Sequence, residues 1–279
     1  MVMENKENTT SLLLDSKLKL ATFSRQLYNM KIVEIGDYIQ VYCYNKKKSK
    51  INNKDNDLDL KKIKNSNSQE TLSNNKLQEI EIRNIIRSKL KCQRLAKANM
   101  KDWKTFITLT FAENITDINI SMIKFKYFVD KVRRIKKDFK YLCITEFQKR
   151  GAVHFHVLTN IDINDKCLMY KQESNKKYTH IKYWKEGFTS VETLNSDEKK
   201  VIGYISKYMT KDIDNRLFSK HRYFGSHNLT KPIESFINTD NIKEQNYYIK
   251  KIQDKKLIYQ NEYLNTYDNS KVTFLEFTK

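Results

Sequence analysis

Two segments that flank a short turn constrain the fold of this sequence more than any other feature. Residues 141–147 and 153–159 are typical of β-strands, and the run KRG at residues 149–151 is typical of the turn of a hairpin. Residues 106–111 alternate apolar side chains with threonine and predict another strand, and residues 121–137 predict a helix. The resulting order, β-α-β-β, indicates an α+β fold.

The hairpin carries two histidines in a His-Phe-His triplet. Because side chains alternate along a strand, His154 and His156 share one face and lie about 7 Å apart along it. If the chain turns around Arg150, Glu146 lies opposite His154 and points to that face as well. Two imidazoles and a carboxylate form a three-ligand site with open positions. We expect Mg²⁺ or Mn²⁺ there, with Mn²⁺ the better match to imidazole and zinc left open.

A histidine pair of this kind also occurs on strands by chance, so a purely structural role for the triplet stays open. The same applies to tyrosines one helical turn apart, which usually fill a core or a surface.

A second helix is predicted over residues 196–212. At about 100° per residue, its two tyrosines share a face with lysines, whereas its large apolar residues cluster on the other side. A phenol is a weak nucleophile, and nearby ammonium groups or a metal favour the reactive phenolate. The residues of the tyrosine face are Lys200, Tyr204, Lys207, Tyr208 and Lys211.

The charge of the chain indicates the kind of partner. The sequence of 279 residues has 53 Lys and Arg against 33 Asp and Glu, a formal net charge of +20. Nucleic acid fits this charge best, because no long apolar span or basic terminal helix points to a membrane. The polar start of the sequence resembles no secretory signal, and four scattered cysteines form no Cys-x-x-Cys pair. These features predict a cytoplasmic protein.

The composition of the sequence changes along the chain. A turn at Gly36 and Asp37 with a strand after it predicts a small β-rich element, and a run of Lys, Asn, Asp and Ser predicts a mobile linker. Helical spacing from residue 76 to residue 100 predicts a basic amphipathic helix that faces phosphates. The predicted divisions are 1–45 (β-rich element), 46–75 (linker), 76–235 (main domain with the basic helix) and 236–279 (C-terminal extension with a strand at 272–277).

Three motifs in a fixed order resemble a known family. The runs FITLT at 106–110, GAVHFHVL at 151–158 and YISKYMTK at 204–211 are similar to the ordered motifs of HUH endonucleases. They most resemble the rolling-circle replication initiator (Rep) proteins of small plasmids and single-stranded DNA phages. The run YFGS at 223–226 resembles the segment that follows the tyrosine helix in such proteins.

The resemblance implies a fold and a role for each matching residue. The fold would be an RRM-like antiparallel sheet with packed helices. His154 and His156 would be metal ligands, with Glu146 as the third. Tyr208 would be the initiating nucleophile and Tyr204 a second one, and Lys207 and Lys211 would orient the phosphate.

The implied activity is nicking and joining of single-stranded origin DNA in a bacterial host. Attack by tyrosine leaves a 5′-phosphotyrosine and a free 3′ hydroxyl, and strands are rejoined at termination. No cofactor other than a divalent metal is implied. The five glycines form no Walker loop, so a host helicase and polymerase would be needed. Origin recognition is hypothesised for the first hundred residues.

Two alternatives remain at this stage. A relaxase or transposase of the same superfamily shares the histidine and tyrosine chemistry, although the order of motifs disfavours a relaxase. A non-catalytic RRM-like module would instead bind nucleic acid by stacking bases on Tyr141, Phe147 and Phe155. The sequence does not predict an oligomeric state.

Overall fold

The computed structural model describes residues 26–50, 74–172, 178–194, 197–210, 222–265 and 268–278. Among them, the helices are α1 (Asn74–Ala98), α2 (Ile118–Ile135), α3 (Glu198–Thr210) and α4 (Ile242–Ile252), with a short 3-10 helix at Met100–Asp102. The strands are β1 (Gln26–Ile35), β2 (Tyr38–Lys50), β3 (Thr105–Thr110), β4 (Tyr141–Phe147), β5 (Val153–Thr159), β6 (Met169–Gln172), β7 (Tyr178–Ile181), β8 (Thr189–Thr193), β9 (Tyr223–Gly225), β10 (Ile233–Ile237), β11 (Lys256–Leu264) and β12 (Lys271–Thr278).

The described residues divide into two compact units. Unit 1 lies within residues 1–34, 38–70 and 234–279, and unit 2 lies within residues 35–37 and 71–233. Each contains a five-stranded sheet, so the predicted α+β class is confirmed.

Unit 2 is built on an antiparallel sheet with the strand order β8-β3-β5-β4-β9. The predicted order β-α-β-β is confirmed as β3, α2, β4 and β5, and the hairpin strands have the predicted bounds. The helix α2 begins three residues before the predicted start, where the Asp117 side chain accepts hydrogen bonds from the amides of Asn119 and Ile120. Such a cap satisfies amides that have no partner within the helix.

Alternation along the strands gives the sheet of unit 2 two covered faces. One face packs against α2 in a core that includes Ile107, Leu109, Phe125 and Phe155. The other face packs against α1 and α3 in a second core, whose buried members are Cys92, Ala96, Trp103, Phe106, Leu142, Ile144, Leu158, Leu194, Val201, Ile205, Met209 and Leu229.

The helix α1 confirms the predicted helix at this place, but only some of its apolar residues are buried. Ile85, Cys92 and Ala96 are buried, whereas Ile82 and Ile86 are 44% and 59% exposed. Contacts with the sheet and with α3 select the buried side, and the apolar spacing along α1 alone does not identify it. The stretch before α3, which the sequence analysis left without elements, contains β6, β7 and β8.

Unit 1 joins segments that the sequence analysis had treated separately. Its sheet has the strand order β10-β1-β2-β12-β11, so the N-terminal hairpin pairs with strands from the C-terminal part of the sequence. The hairpin turns at the predicted Gly36, whose φ of 58° favours glycine. The strand β12 contains the predicted strand at 272–277. A core of β-strand residues with Tyr248 and Ile252 of α4 beside it stabilises one side.

The predicted linker is wrong at its start, because β2 continues to Lys50. Lys47 and Lys48 form ion pairs with Asp240 and Asp268, which come from the C-terminal part of the sequence. Residues 51–73 of that predicted linker lie outside the described residues.

Among the described residues, no helix is both long enough and apolar enough to cross a membrane.

Candidate active site

Three potential metal ligands lie on the inner hairpin of the unit 2 sheet. The register of β4 and β5 sets Glu146 opposite His154 and Ile144 opposite His156, as the sequence predicted. Donor atoms of Glu146, His154 and His156 all lie within 4.8 Å of one another. Glu146 and His156 are buried, and His154 is half-buried. Two imidazoles and a carboxylate at this spacing form a donor set that can hold one divalent ion.

The imidazole of His156 is oriented from both sides. Its Nε2 lies 2.6 Å from the Glu146 carboxylate, and its Nδ1 lies 3.2 Å from the hydroxyl of Thr108. Thr108 is the cross-strand neighbour of His156 on β3. Such a partner for the second ring nitrogen fixes the ring orientation, which is the usual arrangement behind a histidine ligand. The sequence analysis did not identify Thr108 as part of the site.

The tyrosine helix lies directly against this face of the sheet. The ring of Tyr208 stacks on the ring of His156, with 3.6 Å between centroids and 17° between planes. The Nζ of Lys207 lies 4.9 Å from the centroid of the Tyr208 ring. One member of the metal-ligand cluster and one candidate nucleophile are therefore in contact.

The other tyrosine occupies a different environment. The ring of Tyr204 stacks on Phe106 at 4.1 Å with 9° between planes. Its hydroxyl donates a hydrogen bond to the carboxylate of Glu192 on β8. Burial, together with this hydrogen bond and the negative charge of Glu192, raises the pKa of Tyr204 to about 12. Phe106 begins the FITLT motif but was given no role in the site from the sequence, and Glu192 was not singled out.

Contacts beneath α3 explain how the tyrosines are held. Val201, Ile205 and Met209 are buried and fasten the helix to the sheet. On the α1 side, Gln93 donates to the hydroxyl of Ser206 at 2.9 Å, and Lys97 pairs with Glu198 at 3.2 Å. Tyr204 and Tyr208 are half-buried against the sheet, whereas Lys200 and Lys207, which were predicted to share their face, are exposed.

The structure describes one of the two lysines that were predicted to orient the phosphate. Lys207 is exposed beside Tyr208, and Lys211 lies outside the described residues. The first three residues of the segment YFGS form β9, which pairs with β4 and sets Tyr223 beside Ile144. It closes the edge of the sheet next to the hairpin.

Comparison with family models gives a match for the part of the chain that contains this site. Residues 104–213 match the family of the Replication-associated protein ORF2. These residues belong to a family of rolling-circle replication initiators. The resemblance stated from the motifs is thereby confirmed. The initiator match runs from β3 through α3, so it includes the three metal-ligand candidates and both tyrosines.

The remaining comparisons add no relative. No curated protein and no solved structure matches the chain significantly.

Proposed function

We propose that this chain initiates rolling-circle replication by nicking single-stranded origin DNA through Tyr208. The contact between Tyr208 and His156 carries the proposal, because it brings a phenol to a cluster of metal-ligand side chains. The membership of residues 104–213 in an initiator family supports the same reading.

The chemistry is a transfer of one phosphoryl linkage. The Tyr208 oxygen attacks phosphorus, the bond to the 3′ oxygen breaks, and that oxygen leaves as a 3′ hydroxyl after taking up a proton. The product is a 5′-phosphotyrosine. Because the new ester keeps the energy of the broken bond, a 3′ hydroxyl can later reverse the step and rejoin the strand.

Glu146, His154 and His156 would hold the divalent ion, Mn²⁺ or Mg²⁺. Bound there, it would supply Lewis-acid polarisation of a phosphate oxygen. Lys207, and Lys211 by its place in the motif, would bind the phosphate and stabilise developing negative charge. Tyr204 would act in the second transfer, at termination.

The partner would be origin DNA, with host helicase and polymerase needed for synthesis in a bacterial cytoplasm. The net charge of +20 supports DNA as the partner, because contacts with phosphates release counterions and dominate affinity.

The non-catalytic alternative has little support. Phe147 and Phe155 are buried in the α2-facing core, and Tyr141 packs against it. These rings are covered by protein, so they do not form an open surface on which bases can stack.

The test uses the full chain and a pool of 3′-labelled single-stranded oligonucleotides with a randomised centre, with and without Mn²⁺. We expect a metal-dependent covalent adduct on a denaturing gel that forms more slowly in Tyr208→Phe, where only Tyr204 can react, and that is absent when Tyr204 and Tyr208 are both replaced by Phe. His154→Ala should slow adduct formation by at least about 100-fold, since loss of even an outer partner of a metal ligand costs about 10–100-fold.

His227→Ala is the matched control, because His227 is exposed and belongs to the same unit. It should form the adduct at the wild-type rate. DNA binding by His154→Ala should keep its salt dependence, which reflects phosphate contacts. An adduct that forms at the wild-type rate in Tyr208→Phe, or that forms in the absence of metal, would refute the proposal.

A further inference from the structure

Glu192 on β8 lies beside the hydroxyl of Tyr204, the second candidate nucleophile. The pairing of β3 with β8 sets Glu192 directly opposite Phe106. Because Tyr204 stacks on Phe106, its hydroxyl comes to the carboxylate of Glu192 and donates a hydrogen bond to it. One strand pair therefore supports the ring and meets the hydroxyl of the same tyrosine.

Tyr204 and Tyr208 therefore have different surroundings, although they lie one helical turn apart. Tyr208 stacks on His156 of the metal-ligand cluster, whereas the hydroxyl of Tyr204 meets a carboxylate on the strand beyond β3. Glu192 is exposed and Tyr204 is half-buried, so a DNA strand on the surface of α3 can reach this pair.

We propose that Glu192 is the general base for Tyr204 in the second transfer of the reaction, an assignment that depends on the proposed function. As the Tyr204 oxygen attacks phosphorus at the regenerated junction, its proton passes to the Glu192 carboxylate. The bond between phosphorus and the 3′ oxygen breaks, and the leaving 3′ oxygen takes up a proton from solvent. The freed 3′ hydroxyl then attacks the phosphotyrosine at Tyr208 and closes the outgoing strand.

Under this assignment, Tyr204 and Tyr208 react in different steps. The hydrogen bond to Glu192 keeps Tyr204 protonated until a phosphate lies beside it, so in the intact protein Tyr208 makes the first cut faster than Tyr204 does. Proton transfer to a positioned carboxylate contributes about 100-fold or more to a rate.

The experiment isolates each tyrosine in the full-length protein. Tyr208→Phe leaves Tyr204 to react, and Tyr204→Phe leaves Tyr208. Into each we introduce Glu192→Gln, which retains a hydrogen-bond acceptor of the same size but takes up no proton, or Glu192→Ala, which retains neither. The probe is a 3′-labelled single-stranded oligonucleotide selected from the randomised pool with wild-type protein and Mn²⁺. The readout is the rate of covalent adduct formation.

We expect both Glu192 substitutions to slow the Tyr204 adduct by about 100-fold. The loss on Tyr204 should exceed any loss on Tyr208 by at least about tenfold, because only Tyr204 gives its proton to Glu192. Glu113→Gln, which removes an exposed negative charge elsewhere in unit 2, controls for altered DNA affinity.

Other outcomes separate the two proposals. If Glu192→Gln reacts like wild type and only Glu192→Ala is slow, Glu192 merely positions the ring and the base assignment is wrong. Equal losses on both tyrosines would also overturn it. If the Tyr204-only protein forms no adduct while the Tyr208-only protein does, the inference falls and the proposed function stands. If neither protein forms one, both fall.

Discussion

At the scale of single residues, His156 connects the two halves of the site. Its ring contacts Glu146 and Thr108 through the two nitrogens and Tyr208 through its face. Glu146, His154 and His156 would hold the divalent ion, and such ligands bind a metal only when they are deprotonated. Loading of the site is therefore expected to release a proton and to become weaker as the pH falls.

Tyr204 offers a pH-dependent prediction at the same scale. Its pKa is raised to about 12, from an ordinary value of 10.0, by burial and by Glu192. Because the pKa of Tyr204 is higher in the folded protein than in the unfolded chain, its contribution to the free energy of unfolding is complete below about pH 10. This contribution is lost as the pH rises through about 12. Glu192→Gln should lower this pKa, because it removes the negative neighbour.

The measurement is a pH-jump titration of tyrosinate absorbance, recorded before alkaline unfolding. The difference between a protein with Tyr204 and its Tyr204→Phe counterpart isolates one phenol, first with Glu192 intact and then with Glu192→Gln introduced into both. An identical midpoint in the two backgrounds would show that Glu192 does not influence Tyr204 in solution.

A residue of the site could be predicted from the sequence only where its partner lies close to it along the chain. Glu146 and His154 could be matched from the sequence, because a short turn fixes the register between them. Thr108 could not, because its partner His156 lies 48 residues away and the β3–β5 ladder has no local signature. Glu192 has the same difficulty, since β8 was not predicted at all.

At the scale of elements, close packing at the start of β8 determines where that strand lies. The amide of Thr110 donates to the carbonyl of Phe188, and the amide of Ala112 donates to that of Glu186. Gly187 lies between these bonds. A Cβ there would meet the carbonyl oxygen of Thr110 and lie 2.5 Å from the amide nitrogen of Ala112. Only glycine allows the two backbones to approach this closely.

Two glycines make a matched pair for testing this packing. Gly187→Ala should destabilise unit 2 by about 3 kcal/mol, because backbone atoms must move apart. Gly203→Ala should stabilise it by about 0.5–1 kcal/mol, because Gly203 lies within α3 and an added Cβ would point into open space.

Urea unfolding followed by tryptophan fluorescence measures both, since Trp103 and Trp184 are the two tryptophans of the chain and both lie in unit 2. A neutral Gly187→Ala would contradict the close approach of β8 to β3.

Elements with a strong local period were predicted well, and elements stabilised from a distance were not. The helices α1, α2 and α3 and the β4–β5 hairpin follow from spacing and turn residues. The end of β2 was assigned to a linker because of its lysines. Their counterions, Asp240 and Asp268, are remote in sequence, so composition alone gave the wrong answer.

At the scale of the whole molecule, residues 26–50 and 233–278 build one sheet. The ladder between β2 and β12 sets Ile39 opposite Phe277 and Val41 opposite Leu275. The hypothesis that the first hundred residues recognise the origin does not correspond to one structural unit. Cys92 and Ala96 belong to a core of unit 2, whereas the hairpin belongs to unit 1. A deletion of residues 1–99 would therefore disturb both units.

The shared core of unit 1 can be tested with two apolar truncations. Phe277→Ala should cost about 3 kcal/mol, as expected for a buried ring, and should increase amide exchange across β2 as well as β12. Leu264→Ala, at a side chain that is 64% exposed, should change little. The readout is hydrogen exchange resolved by peptide. Faster exchange confined to residues 271–278 would show that the two segments do not share a core.

The candidate ligands are mounted on β4 and β5, strands that have a hydrogen-bonded neighbour on each side. Backbone ladders therefore fix the spacing of these ligands independently of the connections between elements. Under the proposed function, changes confined to these connections should alter the DNA sequence that is cut without altering the chemistry. A library randomised at the loops alone should then yield changed origin preference at preserved turnover.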